Sequence, residues 1–217
     1  MIHSYLDDNA RLKLNQRIVE VERRTGTQIV LAVIQRSDSY SELPWKAFAL
    51  GVSIAGLIIS VLSQIQQSWA SGTEILFATV TVLAAGAACT LFCIYIPSFA
   101  RLFLDNHRAD VEVHQHAAAL FLAHELFATK QRAGILFLIS LFERRVVVLP
   151  DRGLATRLSQ SAVQGIIERM TKALATRQVF GAFENGLSAL DKVLHVTATR
   201  GSDGNELADK IIEEKFP

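Results

Sequence analysis

Two cysteines and four prolines in 217 residues exclude a disulfide-built scaffold and an extended proline-rich chain. Neither sign of charge is in excess, with 22 Lys and Arg against 21 Asp and Glu, so a nucleic-acid binder held by bulk positive charge is also excluded. Hydrophobic residues make up 50% of the chain, too many for a disordered segment. The deepest shortage is local. From Ala47 to Ile96 the only charged side chain is Glu74, and the remaining 167 residues carry the other 42 charges. Two apolar runs stand inside that gap, over 47–62 (extended to 65) and over 75–96.

A bilayer core of about 30 Å needs about 20 apolar residues at the helical rise. The second run meets that length. The first does so with Trp45 and Lys46 at headgroup depth. The short polar link between them predicts a transmembrane helical hairpin. Arg11, Lys13, Arg17, Arg23, Arg24, Arg36 and Lys46 precede the first span, Arg101 and Arg108 follow the second, and the link has neither Lys nor Arg. This bias predicts both flanks in the cytoplasm, with the hairpin in the inner membrane. No apolar leader opens the chain, so no cleavable signal peptide is expected. Cys89 and Cys93 lie four apart within the second span and read as packing residues. The small-residue pairs Gly51/Ala55, Gly56/Ser60 and Ala84/Ala88 suit close helix contact. Phe99, Leu102 and Phe103, with Arg101 and Arg108, read as an interfacial helix that continues from the second span.

Outside the hairpin the periodicity alternates between helix and strand. Residues 9–24 predict an amphipathic helix with Leu12, Ile18, Val19, Val21 and Glu22 along its packed stripe, stopped by Gly26. Residues 27–35 are short, apolar and β-branched, hence a buried strand. A long helix is expected over 101–128, with Leu120, Phe121, His124 and Phe127 on its lower apolar face. Strands are expected over 134–141 and 145–149, antiparallel across a tight turn at 142–144, with Asp151-Arg152-Gly153 closing the second. Helices over 154–175, 180–195 and 203–215 complete the pattern. The fold class is α/β: a small sandwich with a short mixed sheet flanked by helices, interrupted by the transmembrane hairpin. The division is 1–43 for the first helix and strand of the soluble domain, 44–98 for the hairpin, and 99–217 for a juxtamembrane helix and the rest of the domain.

Thr129, Arg132, Gly134 and Leu136, then Ser140 to Val146, then Asp151-Arg152-Gly153, form an ordered set, and Phe180, Gly186 and Leu187 follow at fitting positions. On these residues the stretch 121–192 resembles the TPM-domain family, which includes bacterial membrane proteins, a thylakoid lumen phosphatase and an auxiliary subunit of a nematode acetylcholine receptor. Residues 20–33 are similar to the family's opening helix and first strand. Members are usually exported and tethered by one C-terminal span. The internal hairpin and the missing leader depart from that arrangement.

Asp151 stands at the end of a strand, a position suited to metal or phosphate chemistry. The resemblance makes it a candidate member of an acidic site, with Asp7 and Asp8 where some relatives carry an acidic pair. Such oxygen ligands imply calcium or magnesium. Arg152 and Arg145 are candidate contacts for a phosphate or a partner. Glu143, Arg144 and Arg145 read as solvated charges of the hairpin turn. His107, His114, His116 and His124 crowd one segment, but no zinc-helix spacing joins them. No nucleophile elbow, phosphate loop or dinucleotide motif is present. The leading expectation is therefore a membrane-anchored domain that binds a partner protein, in the assembly or maintenance of a membrane complex. The rival is a divalent-metal-dependent phosphatase built on Asp151 with Asp7 or Asp8.

Overall fold

The computed structural model describes residues 6–66, 72–176, 178–196 and 210–214. The chain divides into two compact units, one formed by residues 1–38 and 109–217, the other by residues 39–108.

In the first unit, helix α1 (Asp8–Thr25) is closed at both ends by local chemistry. The Asp7 carboxylate accepts the N–H of Asp8 at 2.9 Å, and Gly26, at φ 65°, returns its N–H to the Glu22 carbonyl. The buried stripe is Leu14, Ile18, Val21, Glu22 and Thr25. Leu12 and Val19 are 61% and 47% exposed, so the expected stripe is corrected by part of a turn. Leu14 continues the 3.6-residue period through Ile18 and Val21, whereas Leu12 falls on the far side.

Strands β1 (Gln28–Ile34), β2 (Gly134–Ser140), β3 (Arg145–Pro150) and β4 (Lys210–Glu214) form one sheet in the order β3-β2-β1-β4. β1 runs parallel to both β2 and β4, and β3 is antiparallel to β2. β1 and β2 are buried throughout, which explains their unbroken apolar runs. Alternate residues serve two cores. Ile29, Leu31, Val33, Ile135 and Phe137 pack with α1, α6 (Gln160–Ala175) and α7 (Val179–Val196). Val30, Ala32, Leu136 and Leu138 pack with Val113, Ala117 and Leu120 of α5 (Asn106–Ala123) on the other face.

Three expected helices are corrected. The long helix over 101–128 is broken twice: Asp105 Oδ1 accepts the N–H of Arg108 and starts α5 afresh, and Glu125 turns left-handed at φ 52° after α5 ends. The helix expected from 154 begins only at Gln160, because Ser159 takes the N–H of Ala162 as its cap. Of the polar helix expected over 203–215, residues 210–214 are the edge strand β4, and the rest lie outside the described residues. Ile211 packs into one core and Ile212 into the other, a two-sided use that only a strand allows.

In the second unit, α2 (Glu42–Gln66) and α3 (Gly72–Tyr95) are long and apolar enough to cross a membrane. They pack through glycine. A Cβ on Gly51 would meet the Ala85 carbonyl at 2.8 Å, and one on Gly86 would meet the Phe48 ring at 2.8 Å. Gly56 faces open space. Of α3 only Gly86 and Cys93 are buried, while Leu57, Ile58, Phe77 and Phe92 point outward. Neither cysteine forms a disulfide. Beyond α3 the chain bends at Ile96 into the single turn α4 (Pro97–Ala100) and a 3₁₀ turn, Arg101–Phe103.

Candidate functional site

Part of the set that carries the family resemblance, Thr129, Arg132 and Gly134 with Asp151-Arg152-Gly153, converges on one corner, where the start of β2 meets the end of β3. Thr129 Oγ1 accepts the N–H of Ala133 at 3.0 Å, and the Thr129 carbonyl accepts the N–H of Arg132 at 2.9 Å. These bonds hold Arg132 in the left-handed region, φ 53°, a conformation that costs an L residue about 1–2 kcal/mol. The Arg132 carbonyl then takes the N–H of Gly153, and the Gly134 carbonyl takes the N–H of Asp151. Gly134 lies against the Leu126 carbonyl and Gly153 against the carbonyls of Gln131 and Arg132, with no room for a Cβ at either. Gly153 therefore serves close approach and does not supply the positive φ of an ordinary turn.

Asp151 is the buried charge of this corner, 6% exposed. Its Oδ2 accepts Arg132 Nε at 2.8 Å, and its Oδ1 accepts Arg132 Nη2 at 3.1 Å and the N–H of Arg152 at 2.7 Å. The guanidinium also lies over the Phe127 ring, 6.0 Å from its centroid. Both carboxylate oxygens are thus met by charge-assisted donors of the protein itself.

Asp7 and Asp8 stand elsewhere. They open α1, which rises about 27 Å over its 18 residues. Its far end leads into Gln28, which pairs with Gly134, the residue bonded to Asp151. Arg157 Nη2 donates to the Thr25 carbonyl at that same end. Its near end is tied instead to the carboxyl end of β4, where Arg11 pairs with Glu213 at 2.8 Å. A divalent ion needs all its oxygens within about 2.6 Å, so one ion shared by Asp7 or Asp8 with Asp151 is corrected by the topology. Among the described residues no three His, Cys, Asp or Glu side chains gather as a metal-binding group. The donor set does not fit the calcium or magnesium that the resemblance implied.

The two candidate arginines have different settings. Arg145 pairs with Asp110 of α5 at 3.0 Å. Arg152 is exposed and lines an open groove of about 440 Å³ with Pro150, Asp151, Ala155, Leu158, Gln160 and Val163. A separate recess of about 320 Å³ contains Asp7 with Leu6, Ala10 and residues 178–181.

Glu143 is not a solvated turn charge. It is 7% exposed and sits where β1 and β2 end. Its Oε1 accepts the N–H and hydroxyl of Ser37 at 2.9 and 2.7 Å, and its Oε2 accepts the hydroxyl of Ser140. β1 has parallel neighbours on both sides, with α5 on one face and α6 and α7 on the other, the place where open α/β sheets commonly take ligands. Here a protein carboxylate fills it. The one local hint was Ser140, a polar residue closing an apolar strand three positions before Glu143. The histidines disperse: His116 Nε2 lies 3.0 Å from Glu214, and His114 Nδ1 lies 2.8 Å from the Asp110 carbonyl.

A family model described as the TPM domain matches residues 70–193, more than half of the chain. A search of curated proteins finds no match. Among solved structures, the NMR structure of the BA42 protein from the psychrophilic bacterium Bizionia argentinensis is similar with a TM-score of 0.60, covering 99% of each chain at 12% identity. That similarity establishes a shared fold.

Proposed function

The chain belongs to the TPM-domain family, and from that premise we propose that it works as a membrane-anchored binding module. α2 and α3 span the inner membrane, the α/β domain lies on the cytoplasmic side, and the domain holds a partner protein during assembly or maintenance of a membrane complex. The observation that carries this reading is the occupancy of Asp151. The strand-end carboxylate that a phosphatase would use is closed off by Arg132 and the Arg152 N–H. No second carboxylate from the opening of α1 can join it. The groove beside Asp151, apolar along Ala155, Leu158 and Val163 with Arg152 at its rim, is the surface we assign to the partner. It suits an apolar side chain flanked by an acid.

Two measurements test the reading. The detergent-purified protein is assayed on an aryl phosphate with calcium, magnesium or chelator, beside Asp151→Asn. The expected rate is that of the variant under every condition, and metal-dependent turnover lost in Asp151→Asn would replace this proposal with the phosphatase. A photo-cross-linker at position 152 or 163 in membranes is expected to give one discrete adduct absent from position 13. Equal smears from all three positions would remove the groove from the proposal.

A further inference from the structure

The end of the second unit where α2 begins and α3 stops has a construction of its own. α3 spans about 36 Å over its 24 residues, longer than the hydrocarbon core. At its last residue Tyr95 is 77% exposed, and Trp45, in the first turn of α2, is 72% exposed. Ile96 then leaves the helical region at φ −116°, ψ 96°, and Pro97 starts a new turn, so the chain no longer follows the α3 axis. The short segment that follows is not left to swing. Phe92 packs edge-on to Phe99 at 6.4 Å, and Phe99 to Phe103 at 5.4 Å, so one ring ladder runs from the outward face of α3 into the 3₁₀ turn. Lys46 Nζ donates to the Phe103 carbonyl at 3.3 Å and ties the turn to α2. Held this way, the turn presents Leu102 outward, 75% exposed.

Charges flank this apolar edge. Arg108 pairs with Glu42 at 2.7 Å and lies 5.7 Å from the Tyr40 ring centroid. Arg101, Lys46 and Asp105 complete the set. Aromatic rings, an outward leucine and cationic stems gathered at this end form the composition of a membrane–water interface.

We propose that residues 96–103 form an interfacial foot that lies within the lipid headgroup layer, with Leu102 in the upper acyl region and Trp45 and Tyr95 at the same depth. This rests on the membrane reading of α2 and α3 and adds to it a surface that binds lipid without crossing. The foot fixes the depth at which the hairpin stops.

The test uses the full chain in phosphatidylcholine–phosphatidylglycerol vesicles. Trp45 and Trp69 are changed to Phe, and one tryptophan is placed either at Leu102 or at Leu57, which is 67% exposed in the middle of α2. Both positions face outward, so neither change disturbs packing. A third protein keeps Trp45 and carries only Trp69→Phe. Emission is quenched with lipids brominated near the headgroup, lipids brominated near the chain end, and aqueous iodide. Leu102→Trp and Trp45 are expected to be quenched more by the shallow bromines than by the deep ones, and Leu57→Trp in the reverse order. If Leu57→Trp shows deep quenching while Leu102→Trp answers only to iodide, the foot is overturned and the hairpin reading stands. If no position is quenched by any brominated lipid, the membrane reading fails and the foot fails with it.

Discussion

Arg132 reaches from the turn before β2 to Asp151 at the end of β3 and holds it with two parallel hydrogen bonds, Nε to Oδ2 and Nη2 to Oδ1. The carboxylate is nearly buried while the guanidinium is half exposed. Asp151→Asn removes the negative charge and one acceptor, leaving the Arg132 guanidinium without its counter-ion. Full burial of both partners would cost 3–5 kcal/mol; the exposure of Arg132 reduces this to about 2 kcal/mol. The unfolding midpoint should fall by roughly 4–8 °C. Adding Arg132→Met should recover part of the loss. A wild-type midpoint in Asp151→Asn would show that the pair does not support the fold.

Gly153→Ala is expected to lower stability by about 2 kcal/mol or more, because its Cβ would meet two backbone carbonyls that cannot rotate aside. Gly165→Ala, in the interior of α6 with open space around it, should raise stability by about 0.5–1 kcal/mol. The opposite signs, read by thermal unfolding of the two variants, separate close approach from ordinary helix propensity.

Arg144 occupies the left-handed region at φ 55° in the turn between β2 and β3, with an exposed side chain. Glycine adopts that conformation without strain. Arg144→Gly is expected to stabilise by about 0.5–1 kcal/mol after the greater unfolded-state entropy of glycine is subtracted. A lowered midpoint would reveal an interaction of the Arg144 side chain.

The surface cluster of Arg17, Glu20, Arg24 and Asp191 joins α1 to α7. The hydrogen bond from Arg17 holds the Glu20 carboxyl below its ordinary value, and the charges of Arg17 and Arg24 add to that effect. A carboxyl depressed in the folded state contributes its stability above the ordinary value of 4.5, and loses it as pH falls through the folded value. The stability difference between wild type and Glu20→Gln should be constant near neutral pH and close below pH 4.5, and shrink in high salt. A difference that grows with acidity would reverse the assignment.

Gln35 donates its N–H to the Glu214 carbonyl, whereas Gln28 donates to the Ala133 carbonyl on the other side of β1. Deleting residues 210–217 should expose the Gln35 amide to rapid hydrogen exchange and leave Gln28 protected. An unchanged Gln35 rate would mean that β4 does not guard this edge.

Local pattern was enough for much of the fold. The β-branched runs of β1 to β3, the glycine that stops α1 and the two uncharged stretches are statements about neighbours in the chain, and their physics is local: the pleat, the left-handed cap, the cost of burying charge. The motif residues from Thr129 to Gly153 were legible as a set because a corner of backbone needs particular residues at particular places. Their purpose was not, since Arg132 and Asp151 are 19 positions apart and meet only through the register of β2 and β3.

Long-range contacts decided the rest. Glu143 is a buried acceptor because Ser37, 106 positions away, arrives beside it at the ends of parallel strands. Residues 210–214 became a strand because β1 offered an open edge and two cores needed Ile211 and Ile212. Asp7 and Asp8 were separated from Asp151 by the length of α1, a distance that no spacing of residues in a sequence expresses. The sequence alone determined which segments are apolar, which turn, and which family pattern the chain carries. The tertiary structure determined which charges meet, because ion pairs and hydrogen bonds act over a few ångströms between residues that the chain itself keeps far apart.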